Sequence, residues 1–132
     1  MNNSTRKSPT ADLMKMAIGV SGKSQREIAQ EAGFEKQNVI SMMKNAEMKI
    51  PIDRIPALAE ACDTDPLPIL RSAMEEYHGA AWKVLVDAFG EPLKQEERDV
   101  LDLFRIANDG HMITIHSELA DMLLTLFMLM RE

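Results

Sequence analysis

The chain has 132 residues, with 15 Lys and Arg against 21 Asp and Glu, a formal net charge of −6 and 45% hydrophobic residues. That length allows one substantial core, or a small module with an appendage, and excludes a doubly wound sheet with a second domain. Ordinary apolar content with only six Gly and six Pro excludes a fibrous or fully disordered chain.

Overall acidity argues against nucleic acid as a partner, because polyanion binding leaves a basic footprint. The total conceals two regions. Residues 1–50 carry eight basic and five acidic side chains, a net of +3, while residues 51–132 carry seven and sixteen, a net of −9.

Residues 1–9 read as a polar, flexible arm without the apolar run of a secretory signal. A first helix is expected from Thr10 or Ala11, with Asp12 in its first turn, an apolar stripe of Leu13, Met14, Ala17 and Ile18, and Gly19 and Gly22 bracketing its end. Ser24 with Glu27 three residues on forms a capping-box pattern for a second helix, Gln25 to Ala32. Gly33 then suits a left-handed seat, and Phe34 pins the turn to the core. A third short helix is expected from about Lys36 to Lys44.

Pro56 is tolerable only in a helix's first turn, which starts a fourth helix near Arg54. Asp65-Pro66 is an N-cap and first-position pair opening a fifth, continued past Gly79 by a separate helix to Gly90. Val100, Leu103, Phe104 and Ala107 give helical spacing between Glu96 and Asn108. A last helix runs from Ser117, as N-cap, to Met130. No stretch alternates with period two between hairpin turns, so the expected fold is all-α.

The single Cys62 forms no intrachain disulfide or thiolate cluster and reads as a small buried hydrophobe. Leu119 to Met130 falls short of the roughly 20 residues a bilayer span requires. The expectation is a soluble, cytoplasmic protein without a membrane role.

Two short helices joined at Gly33-Phe34, the second with a polar exposed side, suit a major groove about 12 Å wide. On the third helix Gln37 or Asn38 suits adenine edges, Lys36 a guanine edge and Ser41 either. Gln25 can dock a phosphate through its amide and neighbouring backbone N–H groups. Lys23, Arg26 and Lys44 are further phosphate partners, as are Arg6 and Lys7 of the arm. An ordinary helical surface accounts for the same residues about as well.

Gln25, Ala29, Gly33 and Phe34 carry a further signal. With Val39 and Met42, and with Ile52 to Cys62 followed by Thr64-Asp65-Pro66, they resemble the Cro and phage-repressor (XRE-type) family of helix-turn-helix domains over about residues 10–75. The resemblance implies a five-helix, lambda-repressor-like domain at 10–78, a backbone contact from Gln25, and base contacts from Lys36, Gln37 and Ser41. Three family positions differ. Ile40 is expected on or near the DNA-facing rim where a small polar residue is usual, and Met43 replaces a frequent Glu. Asn45 replaces the Gly that usually closes this helix, and is expected to take its left-handed seat. An apolar rim at Ile40 and Met43 suits thymine methyl groups, or alternatively a protein partner.

Residues 76–132 resemble no family, and their acidic surface is expected to point away from phosphates. The last helix is apolar on nearly every side, and such helices are usually buried all round. A second subunit is the economical cover, which makes Leu119, Leu123, Leu126, Phe127 and Met130 candidates for homodimerisation, helped by Trp82 to Phe89. The alternatives are a small C-terminal bundle centred on this helix, or a methionine-rich surface for another protein.

His78, His111 and His116 are scattered, and there is no nucleophile elbow or Gly-rich phosphate loop. No catalysis, metal or cofactor is expected. The sequence therefore points to a dimeric, double-stranded DNA-binding transcriptional regulator, most simply a repressor. The alternative is a protein-interaction module on the same scaffold.

Overall fold

A computed structural model describes residues 7–131. Met1 to Arg6, which hold most of the expected arm and its Arg6, lie outside the described residues. The chain is all-helical: among the described residues there are eight α-helices and no strand. They are α1 (Pro9–Ser21), α2 (Gln25–Glu31), α3 (Asn38–Lys44), α4 (Ile55–Ala61), α5 (Pro66–Tyr77), α6 (Gly79–Phe89), α7 (Gln95–Ala107) and α8 (Ser117–Leu129), with a 3-10 turn at Ile52–Arg54 before α4. The chain divides into two compact units, Met1–Gly90 and Glu91–Glu132. The sequence boundary expected at residue 78 falls earlier, between α5 and α6.

In the first unit α5 packs on α1, α4 and α6, while α2 packs on α3 and α4. Met14, Ile18, Ile28, Ile40, Met43, Ile50, Ile55, Leu58 and Ile69 form the core with small Ala and Cys side chains between them. Cys62 is buried, as its apolar helical surroundings imply. The start of α1 is anchored to α5. Ser8 caps α1 by accepting from the Ala11 N–H at 3.1 Å and donates to Glu76 Oε1 at 2.9 Å, while the Thr10 N–H donates to the same oxygen at 3.2 Å.

Three consecutive helices end in the same way. After α2, Phe34 N–H donates to Ala29 O at 2.8 Å and Gly33 N–H to Gln30 O at 3.2 Å, with Gly33 at φ 77°. After α3, Glu47 N–H donates to Met42 O at 2.8 Å and Ala46 N–H to Met43 O at 3.2 Å. After α4, Thr64 N–H donates to Ala59 O at 2.9 Å and Asp63 N–H to Glu60 O at 3.0 Å. These are Schellman closures, each needing one left-handed residue.

The expected seat at Asn45 is corrected by one position. Asn45 has φ −93° and Ala46 takes the left-handed seat at φ 58°. Asn45 N–H still bonds to Ser41 O, so the helix continues through it before reversing.

In the second unit Glu97 accepts the Lys94 N–H at 2.7 Å and starts α7. The N-cap of α8 is His116, not Ser117: its Nδ1 accepts from Leu119 N–H at 3.4 Å. Residues 112–116 between the two helices are irregular, tied back where Asn108 Oδ1 accepts the Ile113 N–H at 2.7 Å. The extensive helix packings among the described residues lie in the first unit, while in the second Leu101 and Phe104 of α7 and Leu119 and Leu123 of α8 are half-buried.

Candidate nucleic-acid interface

The capping box expected at the start of α2 is present. Ser24 Oγ accepts from Glu27 N–H at 3.1 Å and Glu27 Oε2 accepts from Ser24 N–H at 2.8 Å. Gln25 is the first residue of α2 and is half-buried, while Arg26 beside it is exposed. Lys36, Gln37 and Asn38, where the connection enters α3, are all exposed. Ser41 is half-buried one turn further, within 3.4 Å of Asn45 Nδ2, and Lys44 ends the helix half-buried.

The inward side of α3 differs from the expectation. Ile40 and Met43 are fully buried in the core, and Val39 and Met42 flank them half-buried. The apolar rim expected from Ile40 and Met43 therefore does not exist. A seven-residue helix placed on a crowded core turns two consecutive pairs inward, and the pairs 39/40 and 42/43 share one face at three-residue spacing. What remains outward is Lys36, Gln37, Asn38 and Ser41, a polar set.

The cations fall into two kinds. Lys23 donates to Glu31 Oε2 at 2.9 Å and Ala61 O at 2.8 Å, and forms an ion pair with Asp63 Oδ2 at 3.6 Å, so it is engaged within the chain. It fastens the start of α2 to the end of α4 and is not presented to a phosphate. The Glu31 hydrogen bond raises its pKa above the ordinary value. Among the described residues Arg26, Lys36 and Lys44 form no ion pair. Over residues 25–45 they balance Glu27, Glu31 and Glu35, so the region has no net charge.

Arg54 is the residue that sequence reasoning missed. Its Nη2 donates to Ala32 O at 2.7 Å and Gly33 O at 3.0 Å, and its guanidinium stacks 4.5 Å from the Phe34 ring centroid. The turn between α2 and α3 is thereby clasped from the start of α4. A β-carbon at Gly33 would lie 3.2 Å from Arg54 Nη2. The only legible signal was a cation three residues after Pro51, with nothing to say which carbonyls it would find.

Among the candidate dimerisation residues, Leu119 and Leu123 are half-buried, while Leu126, Phe127 and Met130 are exposed. Among the described residues no group of three or more His, Cys, Asp or Glu side chains converges, and no helix is long and apolar enough to cross a membrane. Comparison with protein-family models, curated proteins and solved structures finds no match for this chain.

Proposed function

We propose that the protein is a sequence-specific double-stranded DNA-binding regulator, most simply a repressor, that acts as a homodimer. The observation that carries this reading is the polar set of Lys36 and Gln37 at the entry to α3 and Asn38 and Ser41 on it, behind a turn held by Arg54. In this reading α2 and α3 are the two helices of a helix-turn-helix, and α3 enters the major groove. Gln37 and Asn38 supply the paired donor and acceptor that reads adenine, Lys36 reads guanine, and Ser41 reaches one turn further. Gln25, Arg26 and Lys44 contact phosphates and set the register.

Burial of Ile40 and Met43 supports the reading, since it removes the apolar feature that favoured a protein partner at this rim. Zero net charge over residues 25–45 means that one protomer binds weakly. Two protomers on adjacent half-sites supply the missing affinity through effective concentration, and the apolar α8 is the proposed means of pairing.

Selection of bound duplexes from a random pool tests this directly. A recovered inverted repeat, bound much less tightly by Gln37→Ala than by the wild type, is the expected result. Recovery of no preferred sequence by an intact dimer overturns it.

A further inference from the structure

α3 has seven residues and packs on α1 and α2. So short a helix holds no fixed direction by itself, and what grips its two ends sets how its side chains point. The entry end is held by Arg54. The exit end runs into residues 46–50, a strap outside any helix.

The strap starts at a strained point. Ala46 sits at φ 58°, a seat that costs an L-residue energy and persists only where its surroundings fix it. On the near side the Glu47 and Met48 N–H groups both donate to Met42 O, at 2.8 and 3.3 Å. On the far side Ile50 is 1% exposed, and its N–H donates to Tyr77 Oη at 3.1 Å. A backbone donor that deep needs a partner, and here a side chain of α5 supplies it. The half-buried Tyr77 ring packs against the core, and Lys49 Nζ stands 5.3 Å from its centroid. One aromatic side chain thus meets two successive strap residues. The near end of the strap leads to the outward side of α3. Asn45, next to Ala46, donates through its N–H to Ser41 O at 3.0 Å and through Nδ2 to Ser41 Oγ at 3.4 Å.

We infer that Tyr77 is a positioning residue for the exit end of α3. Its hydroxyl fixes the strap, and the strap fixes Ser41 and Lys44. Arg54 does the same for the entry end, where Lys36, Gln37 and Asn38 lie. The consequence for recognition rests on the DNA-reading role proposed for α3, whereas the mechanical part does not. In that role Tyr77 touches no base, yet it sets the preference at the base pair met by Ser41 and leaves the one met by Gln37 alone.

Tyr77→Phe keeps the ring and removes only the acceptor, leaving the Ile50 N–H unpaired. Ser72→Ala is its control: it loses the 3.0 Å contact with Thr10 Oγ1, a contact of α5 with α1 and not with the strap. Amide hydrogen exchange on the full chain without DNA reads the strap. Exchange at Glu47 and Met48, taken relative to Cys62, whose N–H donates to Leu58 O at the end of α4, should quicken at least about tenfold in Tyr77→Phe and not in Ser72→Ala. An unchanged ratio in Tyr77→Phe, or an equal rise in both variants, overturns the inference. Base preference is then mapped by selection from a random duplex pool. Tyr77→Phe should lose about fivefold of the discrimination that Ser41→Ala loses, and keep that which Gln37→Ala loses. A map identical to that of the wild type, or one relaxed at both positions alike, overturns the role in recognition. If the wild type itself selects no sequence, the regulator reading fails, and the exchange ratio still decides whether Tyr77 holds α3.

Discussion

Arg54 donates to the carbonyl of Gly33 at 3.0 Å and stands 3.2 Å from where a β-carbon on that glycine would be. The left-handed residue of the α2–α3 turn and its clasp thus depend on each other. Gly33→Ala should cost about 1–2 kcal/mol for the φ alone, with a further loss as Arg54 is displaced. Arg54→Lys keeps the charge but loses the two-carbonyl fork and the stack on Phe34, and should cost about 2 kcal/mol. Chemical denaturation of each variant checks both values. Because α3 is aimed by this turn, DNA affinity should fall more than stability in Arg54→Lys.

Ala46 makes the opposite prediction. At φ 58° an L-residue is strained by roughly 1–2 kcal/mol, and glycine relieves this at a smaller entropic cost. Ala46→Gly should stabilise the chain by about 0.5–1 kcal/mol. A lower melting temperature for this variant contradicts the Schellman closure of α3.

Lys23 and Arg26 separate structure from recognition within four residues of sequence. Lys23→Ala breaks the tie to Glu31 and the end of α4, so it should lower the melting temperature and leave the salt dependence of DNA binding unaltered. Arg26→Ala should do the reverse. It should weaken all DNA sequences alike and reduce the salt slope by about one.

Three groups are shifted in one direction. The Glu31 hydrogen bond raises Lys23 above its ordinary 10.5, and desolvation raises Cys62 above 9.0 and Tyr77 above 10.0. Each holds its proton more tightly folded than unfolded. Stability is therefore fully present below pH 9 and is lost as pH rises through the folded pKa values of these groups. Urea titrations at successively more alkaline pH should show a falling midpoint. Cys62, buried and held as the thiol, should react slowly with alkylating reagents until the core opens.

The helices were legible because their ends are chemical. Ser24 with Glu27, Asp65 with Pro66, and Gly33 after α2 all stand where local hydrogen bonding requires. What escaped depended on tertiary context. Nothing local distinguishes Ile40 from Val39 as the deeper residue, since both belong to the same apolar side and only the position of α1 and α2 decides. Lys23 read as a free cation because its partners, Glu31 and the Ala61 carbonyl, come from different helices. Arg54 was invisible for the same reason. The outward set Lys36, Gln37, Asn38 was readable, because polar residues at the start of a short helix need no partner to remain exposed.

The central claim is that Gln37 reads bases. The most direct measurement is the affinity of wild type and Gln37→Ala for one selected operator and for bulk DNA, at several salt concentrations. The account predicts that the variant loses about 1–3 kcal/mol on the operator and almost nothing on bulk DNA, with the salt slope unchanged. Equal losses on both, or no loss on the operator, would contradict it.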